Sequence, residues 1–298
     1  MFEVQDTAIK QPKFQELLTQ LSTNETLRKQ FKDYPDEVCK AFGLSDEETT
    51  QFQQLQENAY NKFAVSLIHN RLKSAKHYIP GVCALLGEDL IDKFTMYCQR
   101  FPAKSAYEAP AEALQFLQFL TYYSDYPIPG YPYSNEVIDY EQTHLELLLE
   151  KPMNDNAVSS IEARQQLLKS NWKAFKPKIL QQLMIKEYNY PIDEIIDSLL
   201  RGKSVSPTPD TYWILFIRRQ TRSEVIVRRI KKSTKLLITK CDGNTKIGDI
   251  IVDVRTELKL KLHEHAQFEK ECRHFLKRIA KEGFLELIED EEAPSFTV

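Results

Sequence analysis

The stretch "STKLLITKCDGNTKIGDII", residues 233–251, decides the fold. Leucine and isoleucine at 236–238 and isoleucine at 247, 250 and 251 read as two short apolar helices. The Cys-Asp-Gly-Asn tetrapeptide between them is turn chemistry: Asp and Asn bond their own backbone, and Gly takes a positive φ at no steric cost. On this reading Asp242 and Gly243 end one helix and Thr245 caps the next. A tight helix-turn-helix of this kind can hold DNA, hold a peptide, or fill a core.

Its flanks narrow the choice. Upstream, "TYWILFIRR" (211–219) is rich in β-branched and aromatic residues, and "EVIVRRI" (224–230) sets Val225, Val227 and Arg229 against Ile226, Arg228 and Ile230. That period of two, with at most "RQTRSE" between the runs, predicts a hairpin. "KPKILQQLMIKEYNYP" has a further strand-like centre. Downstream, Phe268, Cys272, Phe275, Leu276 and Ile279 share one face of a final helix. Gly283 ends that helix, "FLELI" follows as a short strand, and residues 291–298 form an acidic tail. The order predicts a winged-helix-like domain over 171–290 with a three-stranded antiparallel sheet.

The first part of the chain reads as helices, so the fold class is α+β, with an all-helical domain over 1–155. Gly43 closes an apolar-periodic segment, and "SDEE" (45–48) is a capping box for the next helix. That helix would carry Phe52, Leu55, Tyr60, Phe63, Leu67 and Leu72 and end at Pro80-Gly81. Others are expected over 87–99, from "APAEALQFLQFLTYY" with Pro110 in its first turn, and around Val137, Tyr140 and 145–149. The Pro-rich "YPIPGYPYS" is a rigid turn, whose Tyr131 and Tyr133 could face a partner or pack locally. Polar "KPMNDNAVSS" (151–160) reads as a linker.

Composition excludes several classes. Across 298 residues, 42% are apolar and 28% charged, the balance of a globular chain rather than a disordered one. A net charge of −3 supplies no global attraction to nucleic acid or acidic lipid. Neither a signal peptide nor a spanning helix is expected. The five cysteines are scattered and never in a CxxC pair, which suits reduced thiols in a cytoplasm.

Catalytic signatures for phosphate binding, hydrolysis or phosphoryl transfer do not occur. His263, His265, Cys272 and His274 have the right types for zinc or iron. On a helix, however, residues 272 and 274 point about 200° apart, so no metal site is expected here. The basic run is stronger: Arg218, Arg219, Arg222, Arg228, Arg229, Lys231 and Lys232 stand against one acid, Glu224. Such a run can guard an edge strand from aggregation. It can equally receive an acidic peptide by strand addition, or sit on phosphates beside a major-groove helix. Asp249, Asp253 and Glu257 on the second helix weigh against the DNA alternative, a winged-helix transcriptional regulator.

"LLITKCDGNTKIGDII" followed by "FLKRIAKEGFLEL" resembles the peptide chaperone of the pyrroloquinoline-quinone pathway. Domains of that kind are similar to winged helices and recognise leader peptides of ribosomally made, modified peptides. The resemblance implies that Glu224, Val225, Ile226, Val227, Arg228 and Arg229 form the docking strand, with Phe268, Cys272, Phe275 and Leu276 as the opposite wall. "YNKFAVSLIHNRLKSAKHYIPGVCALLGEDLIDKFTMYCQRFPAKS", then "APAEALQFLQFL", "NEVIDYEQTHLELL" and "IKEYNYPIDEII", resembles partner proteins of multinuclear non-haem iron oxidative enzymes, as in methanobactin and 3-thiaglutamate biosynthesis. Together the likenesses cover roughly 45–290. They imply a non-catalytic, cytoplasmic partner in a heterodimer, with no cofactor of its own and iron in the partner enzyme, presenting a precursor leader so that cysteine is modified.

Overall fold

The computed structural model describes residues 13–54, 57–101, 108–123, 128, 130–151, 162–163, 165–180, 183–218 and 224–289. The chain mixes helix with antiparallel sheet and divides into two compact units, Met1–Tyr131 and Pro132–Val298. Of the linker expected over 151–160, residues 152–160 lie outside the described residues, as do the acidic tail, Arg219, Arg222 and the side chains of Phe52, Leu55, Tyr60 and Phe63.

In the first unit the described elements are helical: α1 (Lys13–Thr23), α2 (Glu25–Asp33), α3 (Pro35–Ala41), α4 (Asp46–Gln54), α5 (Glu57–Lys76), α6 (Pro80–Leu86), α7 (Leu90–Arg100) and α8 (Ala109–Tyr123), with a single 3-10 turn before α7. The capping box is present: the Ser45 amide donates to Glu48 Oε2 at 2.8 Å, and the Glu48 amide to Ser45 Oγ at 3.2 Å. Pro80 and Gly81 do not terminate a helix as expected. α5 stops at Lys76, and Pro80 opens α6, where its missing N–H belongs to the unbonded first turn. Phe94, Tyr97 and Phe116 pack as tilted and edge-on rings with centroids 5.0 to 5.6 Å apart. Beside them Arg71 donates to Glu112 at 2.5 Å, both side chains nearly sealed from solvent.

The second unit begins with α9 (Ser134–Leu149), which the sequence reading groups with residues 1–155. β1 (Lys176–Ile179) and β2 (Leu183–Tyr188) replace the one strand expected there. Then come α10 (Ile192–Leu200), β3 (Tyr212–Arg218), β4 (Val225–Ile230), α11 (Lys232–Thr239), α12 (Ile247–Glu257), α13 (His265–Lys281) and β5 (Leu285–Ile288). β2, β3 and β4 form the antiparallel sheet in that order, with Phe216 opposite Met184 and Val227.

Alternation gives that sheet two apolar faces. Leu215 and Ile217, with Leu183, Ile185, Ile226 and Ile230, join the core that α11, α12 and α13 cover through Leu237, Ile250, Val254, Leu276 and Ile279. Each such side chain taken from water contributes about 1.5–3 kcal/mol. The opposite face meets α9: Tyr140 packs on Phe216 at 5.2 Å, and Asp139 receives the Tyr188 hydroxyl and the Lys186 ammonium, each at 2.9 Å. The Tyr133 side chain is buried and packs edge-on against Tyr190, so it is no exposed docking aromatic.

β1 and β5 pair separately, from Lys176 opposite Ile288 to Ile179 opposite Leu285. The Cys-Asp-Gly-Asn turn docks here, because the Gly243 amide donates to the Pro177 carbonyl at 2.8 Å and Asp242 bridges Lys178.

Candidate functional site

β4 is the outer strand of its sheet: β3 lies on one side, and among the described residues no strand lies on the other. An outer strand presents a row of amides and carbonyls that another extended chain can pair with. Beyond its end, a groove of about 230 Å³ opens against α13. Buried Leu237, Phe268 and Phe275, with half-buried Ile230, form the floor. Exposed Lys231, Glu271, His274 and Arg278 stand around it. The floor follows from α13's spacing, since residues 268, 272 and 275 recur on one face.

The structure therefore brings β4 and the last helix to one place, and it sorts the residues expected there. Phe268, Cys272, Phe275 and Arg229 line the groove, while Leu276 is fully buried in the core behind it. Val225 is buried, and Ile226 packs into the core of the unit. Val227 is half-buried, and Arg228 and Glu224 are exposed. Ser233, Thr234 and Leu237 of α11 also line it, as does Arg278. Sequence reasoning missed these; Arg278 stands one turn after Phe275, the only signal that placed it there.

The basic run does not act as a single patch. Arg218 is buried and donates from one guanidinium nitrogen to the carbonyls of Leu147 and Leu148, in the last turn of α9. It fills the role a cation plays at a helix C-terminus. Arg229 is bound by Asp193 at 2.5 Å and Glu194 at 2.8 Å, and its guanidinium lies over the Tyr212 ring. Burial alone would lower its pKa, and the bonds and charge of Asp193 and Glu194 more than offset that and raise it. Arg228, Lys231 and Lys232 remain exposed.

Burial, helped by Glu271 and Glu269, pushes the Cys272 thiol up to about 12. A thiol that stays protonated at neutral pH packs as an apolar wall rather than acting as a nucleophile. His263 and His274 are exposed, and the His265 ring lies 3.2 Å from the Leu260 carbonyl. Among the described residues, no group of three or more His, Cys, Asp or Glu side chains could hold a metal ion.

Thr245 does not cap α12. Lys246 occupies the cap position without a side-chain bond, and Asp242 instead accepts from the amides of Asn244 at 2.8 Å and Thr245 at 3.4 Å. These backbone N–H bonds hold the Asp242 carboxyl below its usual range. Asp249, Asp253 and Glu257 are exposed on α12, with Lys240 3.5 Å from Asp253. Among the described residues, no helix is long and apolar enough to cross a membrane. In comparison with known proteins, no family model matches the chain, and no curated protein matches it.

Proposed function

We propose that the second unit is a winged-helix-like peptide-recognition domain, and that the chain is a non-catalytic partner subunit. It binds the leader of a ribosomally made precursor peptide and presents the peptide to a multinuclear non-haem iron oxidative enzyme that modifies cysteine. The observation that carries this reading is the outer side of β4, along which no strand lies among the described residues, beside the apolar groove against α13. A leader that adds to β4 gains main-chain bonds, and one of its side chains can enter the groove. Holding the leader turns encounter of enzyme and cysteine into an intramolecular step, which raises effective concentration. The iron ligands belong to the partner enzyme. The exposed acids of α12 would repel phosphates, which argues against insertion of that helix in a DNA groove.

The test is titration of the full chain with a fluorescein-labelled acidic leader peptide from a cysteine-containing precursor. In an antiparallel ladder, successive residues turn both polar groups alternately toward one neighbour and the other. Of Val227→Pro and Arg228→Pro, one removes a bond to β3 and the other a donor to the peptide. The variant that keeps its thermal stability is expected to lose binding by at least about tenfold. Undiminished binding by that variant would overturn strand addition, and stoichiometric iron in the isolated chain would overturn the non-catalytic assignment.

A further inference from the structure

The register of β4 carries a statement about which peptide it takes, one that rests on the reading of β4 as a docking strand. Facing residues fix side-chain direction. Arg228 stands opposite Leu215, Ile226 opposite Ile217, and Ile230 opposite Trp213. Leu215 and Ile217 point into the core under α11, α12 and α13, so Ile226, Arg228 and Ile230 share that face of the sheet. Val225, Val227 and Arg229 occupy the other, where Asp193 and Glu194 already hold Arg229.

A strand added beside β4 puts its own alternate residues directly across from these positions. On the groove face it therefore meets, in succession, an apolar, a cationic and an apolar side chain. The guanidinium of Arg228 is exposed, and its one hydrogen bond among the described residues is to the Val227 carbonyl at 3.2 Å. Ile230 is itself part of the groove wall, so the residue opposite it reaches toward Leu237, Phe268 and Phe275. At about 230 Å³ the groove suits one large side chain; pockets for small molecules and cofactors run to about 300–1,000 Å³.

We propose that the site recognises an extended peptide with an apolar, any, acidic, any, apolar pattern. The acid is placed across from Arg228, and one flanking apolar side chain lies in the groove. The pattern reads the same in both directions, so it holds whether the peptide runs parallel or antiparallel to β4. The intervening residues face the other side of the sheet and carry little selection.

A display library of random nine-residue peptides, selected on the immobilised full chain, tests this. Sequences with an acid flanked at two residues on each side by Leu, Ile, Phe or Val are expected to be enriched about fivefold or more over other spacings. Selection on Arg228→Glu, an exposed position where the fold tolerates change, should replace the central acid with Lys or Arg. Enrichment of peptides without this spacing, or an unchanged central acid on Arg228→Glu, overturns the pattern while leaving peptide recognition standing. No enrichment on either protein overturns both.

Discussion

Arg218 and Arg228 lie ten positions apart in one basic run, yet they have opposite fates. Arg218 is 5% exposed and closes the end of α9 through two carbonyls. Its truncation leaves buried acceptors without a donor, which costs about 1–3 kcal/mol. Arg218→Ala is thus expected to lower the stability of the second unit by about 2 kcal/mol. Urea unfolding followed by tryptophan fluorescence reads this cleanly, because Trp172 and Trp213, the two tryptophans of the chain, both lie in that unit. A loss under about 0.5 kcal/mol, the range of ordinary surface changes, would refute the role. No pattern in the sequence separates these arginines, since the carbonyls Arg218 serves are some seventy residues away. Thr245 misled for a local reason. Asp242, three residues earlier, reaches the turn amides first.

At the scale of elements, period and turn chemistry were legible where one face meets one core. The alternation of 224–230 predicts the side each residue takes, and the spacing of 268, 272, 275, 276 and 279 predicts the buried face of α13. β1 was not legible: four residues, "KPKI", with Pro177 and two lysines, hold no alternation to read. Proline is tolerated because Pro177 turns its polar groups away from β5, its carbonyl accepting from the Gly243 amide, so the ladder with β5 needs no N–H from it. Gly243 links these two kinds of element. Its φ is +85°, and a Cβ there would meet Ile288 Cδ1 at 3.2 Å and Lys178 Cβ at 3.3 Å. Gly243→Ala is expected to cost about 1–2 kcal/mol from the left-handed backbone alone, with crowding against β1 and β5 adding to it. The same urea titration measures it, and a neutral result would show that the turn shifts without penalty.

For the whole molecule, α9 is the element that the sequence reading groups with residues 1–155 and that packs in the second unit. An amphipathic helix after a Pro-rich turn and before a polar segment can belong to either side, since its own residues do not name what covers them. Packing of Tyr140 on Phe216 and the bonds to Asp139 tie it to the sheet. A fragment of residues 132–298 is expected to unfold cooperatively, whereas one of 151–298 exposes Ile214 and Phe216 and should lose its sharp urea transition. Equal transitions for the two would show that α9 is dispensable to the sheet. The pairing of β1 with β5 has a different reach. Its partners lie roughly a hundred residues apart in the chain, a separation that slows folding because a long loop must close first. During synthesis β1 waits for Leu285 and Leu287, so this pairing forms only after the chain between the two strands and β5 itself have been made.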